Sequence, residues 1–112
     1  MRFLIASDRA SFADTHARVG IMPGWGLSVL LPQAIGVRRA REMSLTGNYV
    51  DATTAEKWGL VNRVVPHEAL LETVHALASD IRSNDQVGVR QMLETYSRTA
   101  ETTVADGWEI EA

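Results

Sequence analysis

The chain has 112 residues, 46% of them apolar, and its 11 Lys and Arg against 14 Asp and Glu give a net charge of −3. That is enough for one hydrophobic core and too little for two domains, and the slightly acidic balance excludes the basic footprint of a nucleic-acid-binding protein. Cysteine is absent, which removes disulfides, thiolate nucleophiles and thiolate metal sites, and fits a cytoplasmic chain.

Met1-Arg2-Phe3-Leu4-Ile5-Ala6-Ser7 begins like a signal peptide, but Asp8 and Arg9 cut the apolar run before a hydrophobic region is reached. Phe3 to Ala6 therefore reads as a buried strand, closed by the turn residues Ser7-Asp8-Arg9. Ser11 to Val19 reads as a second strand that stops at Gly20. On a regular strand Phe12, Asp14, His16 and Arg18 share one side and Thr15 points away. Pro23-Gly24-Trp25-Gly26 is a turn able to open a helix, because Pro presets φ and Gly permits close backbone approach. Leu27, Leu30 and Leu31 then fall on one helical face, and Pro32 predicts a break or a new helix start.

Ile35-Gly36 caps that piece. Val37 to Leu45 shows Val37, Ala40 and Met43 opposite Arg38, Arg39, Arg41 and Glu42, a helix closed by Thr46-Gly47. The arginines read either as a solvated face or as a phosphate contact. Asn48 to Ala52 is extended, and Asp51 or Thr53 caps a helix from Thr54 to Trp58 that ends at Gly59. Leu60 to Val65 is a strand ending at Pro66. Leu70, Leu71, Val74, Leu77, Ala78 and Ile81 give Glu68 to Ser83 a helical stripe, and Val89, Met92, Leu93, Tyr96 and Ala100 give another after Asn84-Asp85. His67 and His75 have no partner at ligand spacing and read as capping or surface residues. The tail from Thr99 to Ala112 is less regular. The longest mostly apolar run, Trp25 to Val37, is too short and too interrupted to span a bilayer, so no membrane partner is expected.

A carboxylate and an imidazole beside a helix start form a candidate reaction site, with Asp14 and His16 as its titratable pair. His16 is either a strand-end histidine bonded to a backbone carbonyl or a proton-transfer group active near neutrality. Asp14 is either a base or a turn residue paired with Arg18. Trp25, with Met22 and Gly24 nearby, either walls an apolar pocket or packs in the core.

Phe12, Gly20, Pro23, Gly24, Gly26, Leu31, Ile35, Gly36, Ala40, Leu45-Thr46-Gly47, Ala52, Ala55, Gly59-Leu60-Val61, Val64 and Pro66 occur in an order and spacing that resembles the crotonase (enoyl-CoA hydratase/isomerase) superfamily. The resemblance runs from about Phe3 to Pro66 and more loosely beyond. It implies an α/β fold, a partial crotonase (ClpP/crotonase-like) spiral with short strands at the start and a helix-rich C-terminal half. It also implies that residues 1–112 form a single partial domain lacking the N-terminal half, which in the family carries a glycine-rich oxyanion-hole segment and the first of two glutamates.

The activity implied is hydration of the 2,3-double bond of an acyl-CoA thioester, with coenzyme A as part of the substrate and no separate cofactor or metal. Two N–H groups hold the enolate while two glutamates move protons. The second glutamate position is held here by His16, a departure from the pattern. The resemblance further implies a homo-oligomer, trimer or hexamer, once the domain is complete. Alternative readings are an isomerase, a thioester hydrolase, or an inactive fragment that retains the packing and oligomer-forming half of the fold.

Overall fold

The computed structural model describes residues 3–112; the Met1-Arg2 part of the signal-like start lies outside them. The chain divides into two compact units, Met1–Thr73 and Val74–Ala112. No helix among the described residues is long and apolar enough to cross a membrane.

In the first unit, β1 (Ile5–Ser7) pairs in parallel with β4 (Arg63–Val65), Ala6 opposite Val64. β2 (Ser11–Phe12) pairs antiparallel with β3 (Val50–Asp51). β1 and β4 are shorter than the strands expected from Phe3 to Ala6 and from Leu60 to Val65. β4 loses its expected start because the Leu60 N–H bonds back to Ala55 O at 2.9 Å, while the Asn62 N–H, bonded to Leu4 O at 2.8 Å, leads into the pairing with β1. The parallel pair is tied at its end by side chains. The Ser7 hydroxyl accepts the Arg9 N–H at 3.1 Å and is hydrogen-bonded to His67 Nδ1 at 2.8 Å, while the His67 N–H donates to Asp8 Oδ1 at 3.1 Å. His67 thus opens the short 3₁₀ turn His67–Ala69 and joins it to the β1 end.

The strand expected from Ser11 to Val19 is not formed beyond Phe12. His16–Val19 is a single helical turn, α1, closed by Gly20 in the left-handed region at φ 70°. Local hydrogen bonding outweighs the alternation, because the Asp14 carboxylate captures the N–H of His16 at 3.1 Å, a side-chain turn that an extended chain does not allow. Asp14, His16 and Arg18 are therefore not aligned on a strand face, and Thr15 is the cap residue of α1.

α2 (Leu27–Ile35) starts after the Pro-Gly turn as expected but runs through Pro32. Proline removes one helical donor and crowds the preceding turn. Here Ile35, buried, and Leu31, packed against the core, hold the helix one turn apart on the same face, so tertiary burial overrides the local break. α3 (Val37–Thr46) and α4 (Ala52–Trp58) end at Gly47 and Gly59. Asp51 caps α4 by accepting the Thr54 N–H at 2.8 Å, which starts the helix at Ala52. The core is built from Ala6, Ile35, Ala40, Met43, Val50, Ala55 and Val61. These side chains are mostly small, so it is a thin core.

α5 (Leu70–Arg82) crosses from the first unit into the second, where α6 (Gln86–Thr99) and α7 (Val104–Glu111) follow. Asp85 caps α6 through the Gly88 N–H at 3.0 Å, and Thr103 caps α7 through the Asp106 N–H at 3.2 Å. The stripe residues of α5 and α6 form at the expected spacing, but Leu71, Val74, Met92 and Tyr96 are all exposed. Gly107 is the one buried residue of α7, seated beside Thr99.

Candidate active site

Asp14 leaves the β2 end and turns inward, with only 4% of its surface exposed. Its Oδ1 accepts two bonds from one residue, the His16 N–H at 3.1 Å and the His16 ring through Nδ1 at 2.6 Å. A single oxygen therefore sets both the backbone at the start of α1 and the plane of the imidazole. The ring itself is 40% exposed, so the pair has one buried and one open member.

The protonation states follow from the surroundings. The nearby Ser44 hydroxyl holds the Asp14 carboxyl below the usual carboxylate range. Burial opposes this, and the ring and N–H of His16 add to the lowering. An ionised carboxylate has no proton to donate, so the hydrogen in the 2.6 Å contact belongs to Nδ1. In the neutral ring Nε2 then carries the lone pair, and no hydrogen bond among the described residues engages it. The arrangement is an oriented imidazole base, held at one nitrogen and open at the other.

Arg18 does not pair with Asp14. Its Nε donates to Gly47 O at 3.0 Å and its Nη2 to Asn48 Oδ1 at 3.3 Å, which docks α1 on the C-terminal turn of α3. Gly47 lies at φ 65°, and a Cβ there would stand 2.6 Å from Arg18 Nε, so the close approach requires glycine. Met22, Gly24 and Trp25 share the loop that leads into α2. Trp25 is 98% exposed and Met22 83%, so neither packs in the core, and no heavy atom comes within 4 Å of the position of a Cβ at Gly24.

A cleft of about 420 Å³ in this unit lies elsewhere, lined by residues such as Ser11, Met43, Asn48, Tyr49, Val50 and Trp58, and none of the five candidate residues borders it. Of the arginines on α3, Arg39 is placed over the Trp58 ring at 5.4 Å from its centroid, a cation–π contact on an exposed face. No cluster of three or more metal-ligating side chains occurs among the described residues. The Ser44 hydroxyl, the first influence on the Asp14 carboxyl, is the group that sequence reasoning missed, because nothing local marks a helix serine as a neighbour of an aspartate so far upstream.

The family profile described as Enoyl-CoA hydratase/isomerase matches residues 2–112. Among curated proteins, the short-chain-enoyl-CoA hydratase of Clostridioides difficile is 40% identical over 108 residues, covering 96% of this chain and 70% of that one. Among solved structures, an enoyl-CoA hydratase from Mycobacterium tuberculosis H37Rv is 52% identical with a TM-score of 0.88, covering 97% of this chain and 50% of that chain. An enoyl-CoA hydratase from Bacillus anthracis superposes with a TM-score of 0.95 at 36% identity, covering 98% and 43% respectively. The chain thus spans about half the length of the solved structures it matches.

Proposed function

Because this chain belongs to the enoyl-CoA hydratase/isomerase family, we propose that it carries the proton-transfer side of a hydratase site, adding water across the 2,3-double bond of an acyl-CoA thioester. His16 moves the proton through Nε2, and Asp14 orients the ring and stabilises its charged form. Met22, Gly24 and Trp25 meet the acyl chain, which would cover apolar surface that is open here. The oxyanion-hole donors come from the part of the fold that the longer relatives have in addition, and the working enzyme is a cytoplasmic homo-oligomer.

The observation that carries this reading is the 2.6 Å Asp14–His16 contact, which leaves the other ring nitrogen without a hydrogen bond among the described residues. General acid–base groups contribute about 10²–10⁴-fold to rate. The test is hydration of crotonyl-CoA by the 112-residue chain and by a form joined to the unmatched half of the Mycobacterium tuberculosis relative. His16→Ala in the joined form is expected to lower kcat by about 10²-fold or more. Full turnover after that substitution removes His16 from the reaction. Product analysis across acyl-CoA substrates separates hydration from double-bond migration and from thioester hydrolysis.

A second reading, a non-catalytic packing and oligomer-forming piece, is favoured by the exposure of Ile21, Met22 and Trp25. It predicts an assembly that forms with no turnover in either form of the protein.

A further inference from the structure

Resting on the assignment of His16 as the proton carrier, we propose that Arg18 is a positioning residue, whose guanidinium latches α1 to the end of α3 and so fixes where the His16 ring presents Nε2. α1 is four residues long, has no side-chain cap and buries none of its residues. A single turn of that kind is not stable by itself, because nucleating a helix fixes several backbone angles for very few hydrogen bonds. Its place in the fold is set from outside.

The two bonds from His16 to Asp14 are local and orient the ring within its own turn. The other end of α1 is tied by Arg18, the α1 residue whose side chain bonds another element among the described residues. Its Nε donates to Gly47 O at 3.0 Å and its Nη2 to Asn48 Oδ1 at 3.3 Å. Both donors belong to one planar group, so the two acceptors fix its direction as well as its distance, which a lysine ammonium does not do. The acceptors are themselves held. The Gly47 N–H bonds Met43 O at 3.0 Å, the Asn48 N–H bonds Thr46 Oγ1 at 3.2 Å, and Met43 and Val50 on either side are buried in the core. The cation also meets a carbonyl at the C-terminal end of α3, where the helix dipole favours positive charge. With its guanidinium spent there, Arg18 leaves the Asp14 carboxylate to the imidazole.

The latch is read by ¹⁵N relaxation of the His16–Val19 amides in the 112-residue chain, as wild type and as Arg18→Ala, Arg18→Lys and Asn48→Ala. Wild-type order parameters of about 0.85 are expected, falling below about 0.6 in Arg18→Ala while the α3 amides stay rigid. Arg18→Lys and Asn48→Ala, each able to keep one of the two bonds, are expected to fall between. In crotonyl-CoA hydration by the joined form, Arg18→Ala is expected to lower kcat about 10-fold with KM unchanged, since a displaced proton carrier slows the chemical step. In a His16→Ala background the same substitution is expected to cost nothing further, whereas a purely structural role lowers kcat by the same factor in both backgrounds.

A wild-type α1 that is already mobile overturns the proposal, as do folded Arg18→Ala or Asn48→Ala chains whose α1 amides stay as ordered as in wild type. Equal kcat losses in the two backgrounds overturn it too. Asn48→Ala reads the latch from the acceptor side should Arg18→Ala not fold. If α1 loosens in these variants while His16→Ala keeps full turnover, the latch stands and the catalytic assignment fails.

Discussion

Replacing Gly47 by alanine tests the contact that sets the site. The substitution puts a Cβ at φ 65°, and holding an L-residue in that region costs about 1–2 kcal/mol. The same Cβ would sit 2.6 Å from Arg18 Nε and 2.9 Å from its Cγ, so the arginine must withdraw and give up its 3.0 Å bond to the Gly47 carbonyl. A bond to a charged donor is worth about 1.5–3 kcal/mol when protected; at this partly exposed position about 1 kcal/mol is the appropriate figure. The sum is about 2–3 kcal/mol, a large share of the total stability of a small domain, roughly 5–15 kcal/mol. With a urea slope of about 1.5 kcal/mol/M, the midpoint falls by about 1.3–2 M. Arg18→Ala separates the two parts. It should cost about 1 kcal/mol in the wild type and close to nothing in the Gly47→Ala background, because the bond is already lost there. Strictly additive losses across that cycle, or a Gly47→Ala midpoint equal to wild type, would refute the account of how α1 is held on α3.

Met43 is 4% exposed at the centre of the thin core, and Met43→Ala is expected to cost about 2–3 kcal/mol in urea unfolding, since few large neighbours can close the cavity. An effect below about 0.5 kcal/mol would mean the core is not packed around it. The carboxyl of Asp14 is held below its ordinary value, first by the Ser44 hydroxyl and then by His16, against burial. Its contribution is therefore complete above its unfolded value of about 3.9 and is lost as pH falls through the lower folded value. Thermal melts between neutral pH and pH 3 should show a shallower acid decline for Asp14→Asn than for wild type. Some decline remains, because Asp51 is lowered in the same sense by the Thr54 N–H and hydroxyl.

Helix ends were the most legible part of the chain. Gly36, Gly47 and Gly59 stand where the periodic patterns stop, Asp51 and Asp85 stand where new ones begin, and each of these signals acts within one turn of itself. The errors arose where a local rule met a competing bond or a tertiary contact. Phe12, Asp14 and His16 alternate as a strand would, yet one carboxylate-to-amide bond turns the chain into α1. Pro32 argues for a break, yet Leu31 and Ile35 are anchored in the core around it. Within the site, the sequence brought Asp14 and His16 together because they are near neighbours, while Gly47, whose carbonyl holds Arg18, lies 29 residues beyond it at the end of another helix. No spacing rule reaches that far. The family resemblance supplied the likeness of the whole but not this pairing, since it implies a glutamate where His16 stands.

The alignment of Ile5–Ser7 with Arg63–Val65 joins the two ends of the first unit. Such a closure gains nothing until the intervening chain has already been drawn together, since its ends must first find one another at the full cost of closing a long loop. The zipper between these termini is consequently a late event that reports on the entire unit. A cut anywhere between Asp8 and Asn62 should loosen both strands at once, however far it falls from either.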